Sequence, residues 1–158
     1  MNAAFLHLSL THFPIIGFVL FSPLFLFAVW KKKQSWIQLF SVVLVGLTLV
    51  SIIVFNTGEG AEDILKETTK IPHKVIHEHE EAAEFTFWLF CISGFIAALV
   101  LALRVKVENA RQRTLLFVYS ILLLVTSVAA LRTAHLGGEI RHPEMEYNGA
   151  DHVDADNE

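Results

Sequence analysis

The sequence predicts an all-α protein, a four-transmembrane-helix bundle with an extracytoplasmic helical segment between helices two and three. The first observation is composition: the 158 residues are 54% hydrophobic and 18% charged, with a mean hydropathy of +0.53, which is too apolar for an ordinary soluble domain. The second is four apolar stretches of roughly 20 residues, the length that crosses a bilayer. The third is that no stretch has the polar face that a soluble bundle would require. Basic residues interleaved with aromatics are also missing, so nucleic-acid binding is not expected.

The four predicted spans are residues 12–30, 36–55, 85–103 and 114–135. Ionisable side chains are almost absent inside them, and Trp30, Trp36 and Trp88 fall near predicted boundaries, as interfacial anchors do. Because glycine lets helix backbones approach closely, we expect close helix contacts at Gly46 and Gly94.

The charges of the short loops predict the orientation. Residues 31–33, all lysine, join helices one and two, and four basic residues lie between helices three and four: Arg104, Lys106, Arg111 and Arg113. Such loops face the cytoplasm by the positive-inside bias. We therefore expect a multi-pass protein of the bacterial inner membrane with both termini periplasmic. Its membrane domain would cover residues 1–138, followed by a polar, acidic tail over residues 139–158.

Proline and glycine predict where the outward helices begin, end and bend. We expect a turn at residues 57–60, a short amphipathic helix over 61–70, and a new helix that starts at Pro72 and runs into span three. The pair Gly137-Gly138 predicts the end of helix four. Pro23 would kink helix one, and such a kink could open a groove for a quinone or a lipid tail.

All eight histidines are expected on the outward side: His7, His12, His73, His77, His79, His135, His142 and His152. A rotation of 100° per residue places His79 on the apolar face of its helix with Ile76, whereas His77 shares the opposite face with several glutamates. Because His12 opens helix one and His135 closes helix four at a similar depth, we expect three helices to deliver an inward histidine to one end of the bundle.

Two chemistries use such a set of histidines. Paired imidazoles on facing helices are axial ligands of b-type haem, and Arg132 and Arg141 could pair with its propionates. The residues predicted to bind haem b are His12, His79, His135, His142, Arg132 and Arg141. The alternative is a transition-metal ion, zinc, copper or iron, bound by His12, His79, His142, Glu59 and Glu62. The simpler interpretation is that the imidazoles are hydrogen-bonded to Glu59, Glu62 or backbone carbonyls. A covalent c-type haem is excluded, because the single cysteine, Cys91, is in no C-x-x-C-H motif.

Four motifs carry a family resemblance: residues 12–17 (HFPIIG), 57–62 (TGEGAE), 79–84 (HEEAAE) and 136–144 (LGGEIRHPE). Together they resemble a bacterial family of small four-helix inner-membrane proteins, although Gly60 stands where proline is expected. The resemblance implies four spans and an outward site formed by His12, Glu59, Glu62, His79 and His142. Some members of that family are joined to cytochrome-type modules.

Together, the residues and the resemblance predict a membrane b-type cytochrome or haem-binding subunit that transfers electrons near the periplasmic face. Its partners would be a c-type cytochrome, other respiratory-complex subunits or a quinone. The alternative is a non-redox metal-binding or structural subunit that docks a periplasmic partner. No nucleophile-and-base motif occurs, so the sequence predicts no particular enzymatic reaction.

Overall fold

The structure is a computed structural model that describes residues 3–68 and 73–141. It contains four helices: α1 (Ala3–Trp30), α2 (Gln34–Thr68), α3 (His73–Ala102) and α4 (Ala110–Arg141). The described ranges contain no strand. The all-α, four-helix prediction is confirmed.

The helices form a closed four-membered ring in which each packs against its neighbours in the chain, and α4 returns to α1. Helices α1 and α3 are therefore diagonal to one another. Their side chains still meet across the centre, because the rings of Phe18 and Phe90 lie 4.4 Å apart. Phe25, Leu44 and Leu123 are fully buried around this contact and complete the core.

The outer surface of the bundle is apolar. Large hydrophobic side chains are exposed on every helix, for example Leu20, Leu49, Phe95 and Val128. All four helices are long and apolar enough to cross a membrane. A lipid environment accounts for such a surface, whereas water would strongly disfavour it. The protein is therefore a multi-pass membrane protein.

Small hydroxyl side chains join the helices inside the bundle. The Ser127 hydroxyl donates to the Phe18 carbonyl and to the Ser22 hydroxyl, which links α4 to α1. On the other side, the Thr48 hydroxyl donates to the Phe90 carbonyl over 3.1 Å and links α2 to α3. Interhelical hydrogen bonds of this kind contribute about 0.6 kcal/mol each in membrane bundles.

One of the two predicted glycine contacts is present. Gly94 packs directly on the Thr48 side chain, with no room for a Cβ atom, as predicted. The expectation for Gly46 is wrong, because a Cβ there would meet no atom within 4 Å. A second close contact lies at Gly17, against the Leu47 side chain.

The loop end of the bundle comprises the connections at residues 31–33 and 103–109. Trp30 and Trp36 are exposed there, consistent with interfacial anchors, and Lys31 lies over the Trp30 ring. Lys32 and Arg104 adopt left-handed φ values of 53° and 50°, which reverse the chain after α1 and α3.

The opposite end of the bundle, the histidine end, is formed by the starts of α1 and α3 and the ends of α2 and α4, and it carries His7 and His79. It differs from the prediction. Helix α2 runs without a turn through residues 57–60 to Thr68, and α4 continues through Gly137-Gly138 to Arg141. The predicted turn and the predicted helix stop are therefore wrong. Glycine only weakens a helix, and here packing outweighs that cost, because Gly58 and Gly137 each contact a histidine ring of a neighbouring helix. The predicted start at Pro72 lies outside the described residues.

Candidate functional site

His79 projects from α3 towards α4. Its Nδ1 lies 3.2 Å from the backbone carbonyl of Thr133. A carbonyl can only accept, so Nδ1 carries the hydrogen, and in the neutral ring Nε2 holds the free lone pair. Ile76, Ala82 and Phe90 on the same face of α3 are buried, which confirms the predicted inward face.

His7 makes the equivalent contact between α1 and α2. Its Nδ1 lies 3.0 Å from the carbonyl of Val54, so this ring also donates from Nδ1 and keeps the lone pair on Nε2. A Cβ at Gly58 would lie 3.6 Å from the His7 Cε1, which is ordinary contact. The ring therefore lies against the backbone of α2.

The two histidines lie at the same end of the bundle. They come from the diagonal helices α1 and α3. Neither Nε2 has a hydrogen-bond partner among the residues that the structure describes. Metal-binding histidines commonly donate their second ring nitrogen to a carbonyl, which orients the ligating nitrogen. His7 and His79 both have this arrangement.

Thr133 fixes the carbonyl that orients His79. Its hydroxyl lies 3.0 Å from the Ala82 carbonyl and 2.9 Å from the Thr86 hydroxyl, so α3 and α4 are joined one turn inside the histidine. One turn further along α4, a Cβ at Gly137 would lie only 3.0 Å from Cε1 of His79. The imidazole therefore packs closely against α4 at Thr133 and Gly137.

The expectation that His12 and His135 face the bundle interior is wrong. His12 is exposed, with Nδ1 3.3 Å from the Leu8 carbonyl of its own helix. His135 is exposed, and its Nε2 lies 3.1 Å from the Glu139 carboxylate of its own helix. Helix geometry explains both positions. His12 lies about 140° around α1 from His7, and His135 lies about 160° around α4 from Thr133.

The remaining predicted site residues divide into two groups. Arg132 is exposed beside a groove between α3 and α4. The side chains of Glu59, Glu62 and Arg141, and all of His142, lie outside the described residues. The propionate and metal-ligand roles of these five residues stay predictions.

His77 faces away from the bundle, as predicted. It is exposed and lies 3.8 Å from a Glu80 carboxylate oxygen and 3.3 Å from one of Glu81. It therefore belongs to the polar face of α3 and provides a control for His79 on the same helix.

The sequence prediction missed His7 as an inward residue, although the chain carries a signal for it. On a helix, residues 14, 18 and 25 lie within about 20° of His7. Pro14, Phe18 and Phe25 of this stripe are buried. The uniform hydrophobicity of helix one hid the stripe, because lipid-facing positions are as apolar as the core.

Comparison of the chain with protein-family models, with curated proteins and with solved structures finds no match.

Proposed function

We propose that this protein is an integral membrane b-type cytochrome or haem-binding subunit, with His7 and His79 as the axial ligands. One observation carries the proposal. Two imidazoles from diagonal helices each donate Nδ1–H to a carbonyl of a neighbouring helix, and neither Nε2 is bonded to a residue that the structure describes. This pair replaces the sequence-based combination of His79 with His12 or His135.

The donor set favours haem over a bare metal ion. Haem brings four nitrogen ligands of its own, so two imidazoles complete its coordination. A protein zinc site needs three or four side-chain ligands. Among the described side chains, no group of three His, Cys, Asp or Glu residues could bind an ion. The bound haem would supply one-electron redox chemistry.

The protein contributes the orientation of the ligands and an apolar surrounding. The carbonyls of Val54 and Thr133 fix the rotation of each ring and increase the basicity of its Nε2. Burial and hydrogen bonds near the ligands are among the factors that set a haem potential. Replacing either histidine should therefore change affinity and potential together.

The proposed location follows from the loop charges. The lysines of the loop end would face the cytoplasm of a bacterial cell, with the histidine end and both termini at the periplasmic side of the inner membrane. Electron partners would be a c-type cytochrome or other respiratory subunits. The exposed carboxylates of Glu78, Glu81 and Glu84 on α3 favour a basic partner. Membership of the four-helix inner-membrane family described above is part of this proposal.

The experiment uses the full chain purified in detergent from cells supplied with haem. Reduced-minus-oxidised spectra and haem content are measured for the wild type, His7→Ala and His79→Ala. His12→Ala and His77→Ala serve as matched controls on the same two helices. We expect the controls to retain haem and each ligand variant to lose about tenfold or more of its affinity, because one axial bond is absent.

A second pair of variants separates ligation from folding. His79→Met and His7→Met remove the Nδ1 hydrogen bond but offer a thioether ligand, so we expect bound haem with a raised potential. A folded wild-type protein without a haem spectrum would contradict the proposal, as would loss of haem in His12→Ala and not in His7→Ala. Stoichiometric zinc or copper without a haem spectrum would instead support the non-redox metal-binding alternative.

A further inference from the structure

A groove runs along the lipid-facing side of the bundle between α3 and α4. Its volume is about 420 Å³, within the range of roughly 300–1,000 Å³ that is typical of small-molecule sites. Ile121, Val125 and Val128 form one wall on α4, and Ala82 and Phe85 form the other on α3. The groove is therefore an apolar channel that is open to the membrane.

The length of the groove corresponds to one leaflet of a bilayer. From Ile121 to Arg132 the wall covers 11 residue steps, or about 17 Å along the helix axis. The hydrocarbon layer is about 30 Å thick. The α3 lining, Ala82 to Thr86, covers about 6 Å. A single extended acyl chain that enters at the level of Arg132 would therefore lie between the two helices at first and then continue along α4 towards the middle of the membrane.

Arg132 marks the polar end of the groove. On α4 it lies 19 residues after Arg113, about 29 Å along the axis, so the two arginines match the two surfaces of the hydrocarbon layer. Arg132 is exposed and forms no ion pair with any side chain that the structure describes. Arg132 is therefore a cation at the boundary between the hydrocarbon layer and the lipid headgroups.

We infer that this groove binds an anionic phospholipid, with one acyl chain between α3 and α4 and the phosphate on the Arg132 guanidinium. Guanidinium and phosphate match in charge and in bidentate geometry. The other side chain in the groove with a hydrogen-bonding group is Thr86, whose hydroxyl is bonded to Thr133. A quinone ring would therefore find no free hydroxyl within the groove, whereas a phosphate at its end finds a cation.

The inference is independent of the proposed haem. The groove lies on the outside of the α3–α4 pair, whereas His7 and His79 lie inside the bundle. A bound lipid would contact both helices beside the Thr86–Thr133 contact. We therefore expect it to raise the thermal stability of the protein by mass action.

The test is native mass spectrometry of the full chain in detergent, titrated with phosphatidylglycerol and, in parallel, with zwitterionic phosphatidylcholine. We expect one phosphatidylglycerol to bind preferentially. Arg132→Gln should lower its affinity about tenfold, whereas Lys74→Gln, which removes another exposed cation of the histidine end, should leave it unchanged. Lys74 is already close to Glu78, at 3.7 Å.

A second pair of variants tests the acyl-chain site. Val128→Trp fills the groove and should abolish the preferential binding of phosphatidylglycerol. Val118→Trp should leave this binding unchanged, because Val118 is exposed on α4 and is not among the groove-lining residues. Wild-type affinity in both Arg132→Gln and Val128→Trp would overturn the inference, and so would recovery of a quinone from the groove. Loss of haem in Arg132→Gln with unchanged lipid binding would instead place Arg132 on a propionate.

Discussion

The two ends of the bundle are both closed by side chains that bond to backbone groups, but they differ in what remains unbonded. At the loop end, the Gln34 amide donates to the Val105 carbonyl over 2.8 Å and accepts from the Val107 N–H over 2.9 Å. Both the amide nitrogen and the amide oxygen of Gln34 are therefore hydrogen-bonded. At the histidine end, His7 and His79 each bond through Nδ1 alone to the part of the chain that the structure describes.

The difference separates a structural contact from a candidate site. Gln34 holds the loop after α3 against the start of α2, and its hydrogen bonds are completed inside the protein. The histidines join the same kinds of elements, yet each keeps one nitrogen with a lone pair. A purely structural role would not require an imidazole, because a residue such as glutamine or serine could donate to the same carbonyl. The unbonded nitrogens therefore favour a ligand.

The largest effect on stability is expected at the loop end. Gln34→Ala leaves the buried Val107 without its N–H partner and removes a second bond, which should lower the free energy of unfolding by about 2 kcal/mol. Unfolding of the detergent-solubilised protein measures this change. Gln38→Ala, at an exposed position on the same helix, is the control and should have little effect. The haem spectrum should be unchanged in both variants, and its loss in Gln34→Ala alone would contradict the separation of the two ends.

A smaller and different effect is expected beside His79. In Gly137→Leu, the new side chain would displace the imidazole, because a Cβ there already lies 3.0 Å from Cε1. We expect at least tenfold weaker haem binding, about 1.4 kcal/mol, with the helix itself retained. Gly138→Leu is the matched control, since a Cβ at that position meets no atom within 4 Å. Equal haem affinity in the two variants would show that the position of the His79 ring is unimportant.

The smallest effect is expected at His135. Its contact with Glu139 is exposed on the surface of α4, and surface ion pairs contribute about 0–1 kcal/mol. His135→Ala should therefore change the unfolding free energy by less than about 1 kcal/mol and leave the haem spectrum intact. A spectral change as large as that of His79→Ala would restore His135 to the site and require α4 to rotate from its described position.

The sequence predicted the fold much better than the site. Apolar length predicted the four helices, and the 100° rotation predicted correctly that His79 faces inward and His77 outward. The same rotation also places His7 on the buried stripe of α1. His12 and His135 were placed by their depth along the helix, and depth does not specify which face a residue occupies. The glycines at residues 58 and 137 were interpreted as helix breakers, because no neighbouring imidazole is visible in a sequence.

The sequence by itself determined that the chain forms four apolar helices with charged residues at their ends. Hydrophobic length and the cost of charge in lipid are properties of residues and their order. Only the tertiary structure decided which two histidines bond to a neighbouring helix. Their positions depend on the packing of α1 against α2 and of α3 against α4, and on the carbonyls of Val54 and Thr133. Each of these carbonyls belongs to a different helix from the histidine it orients.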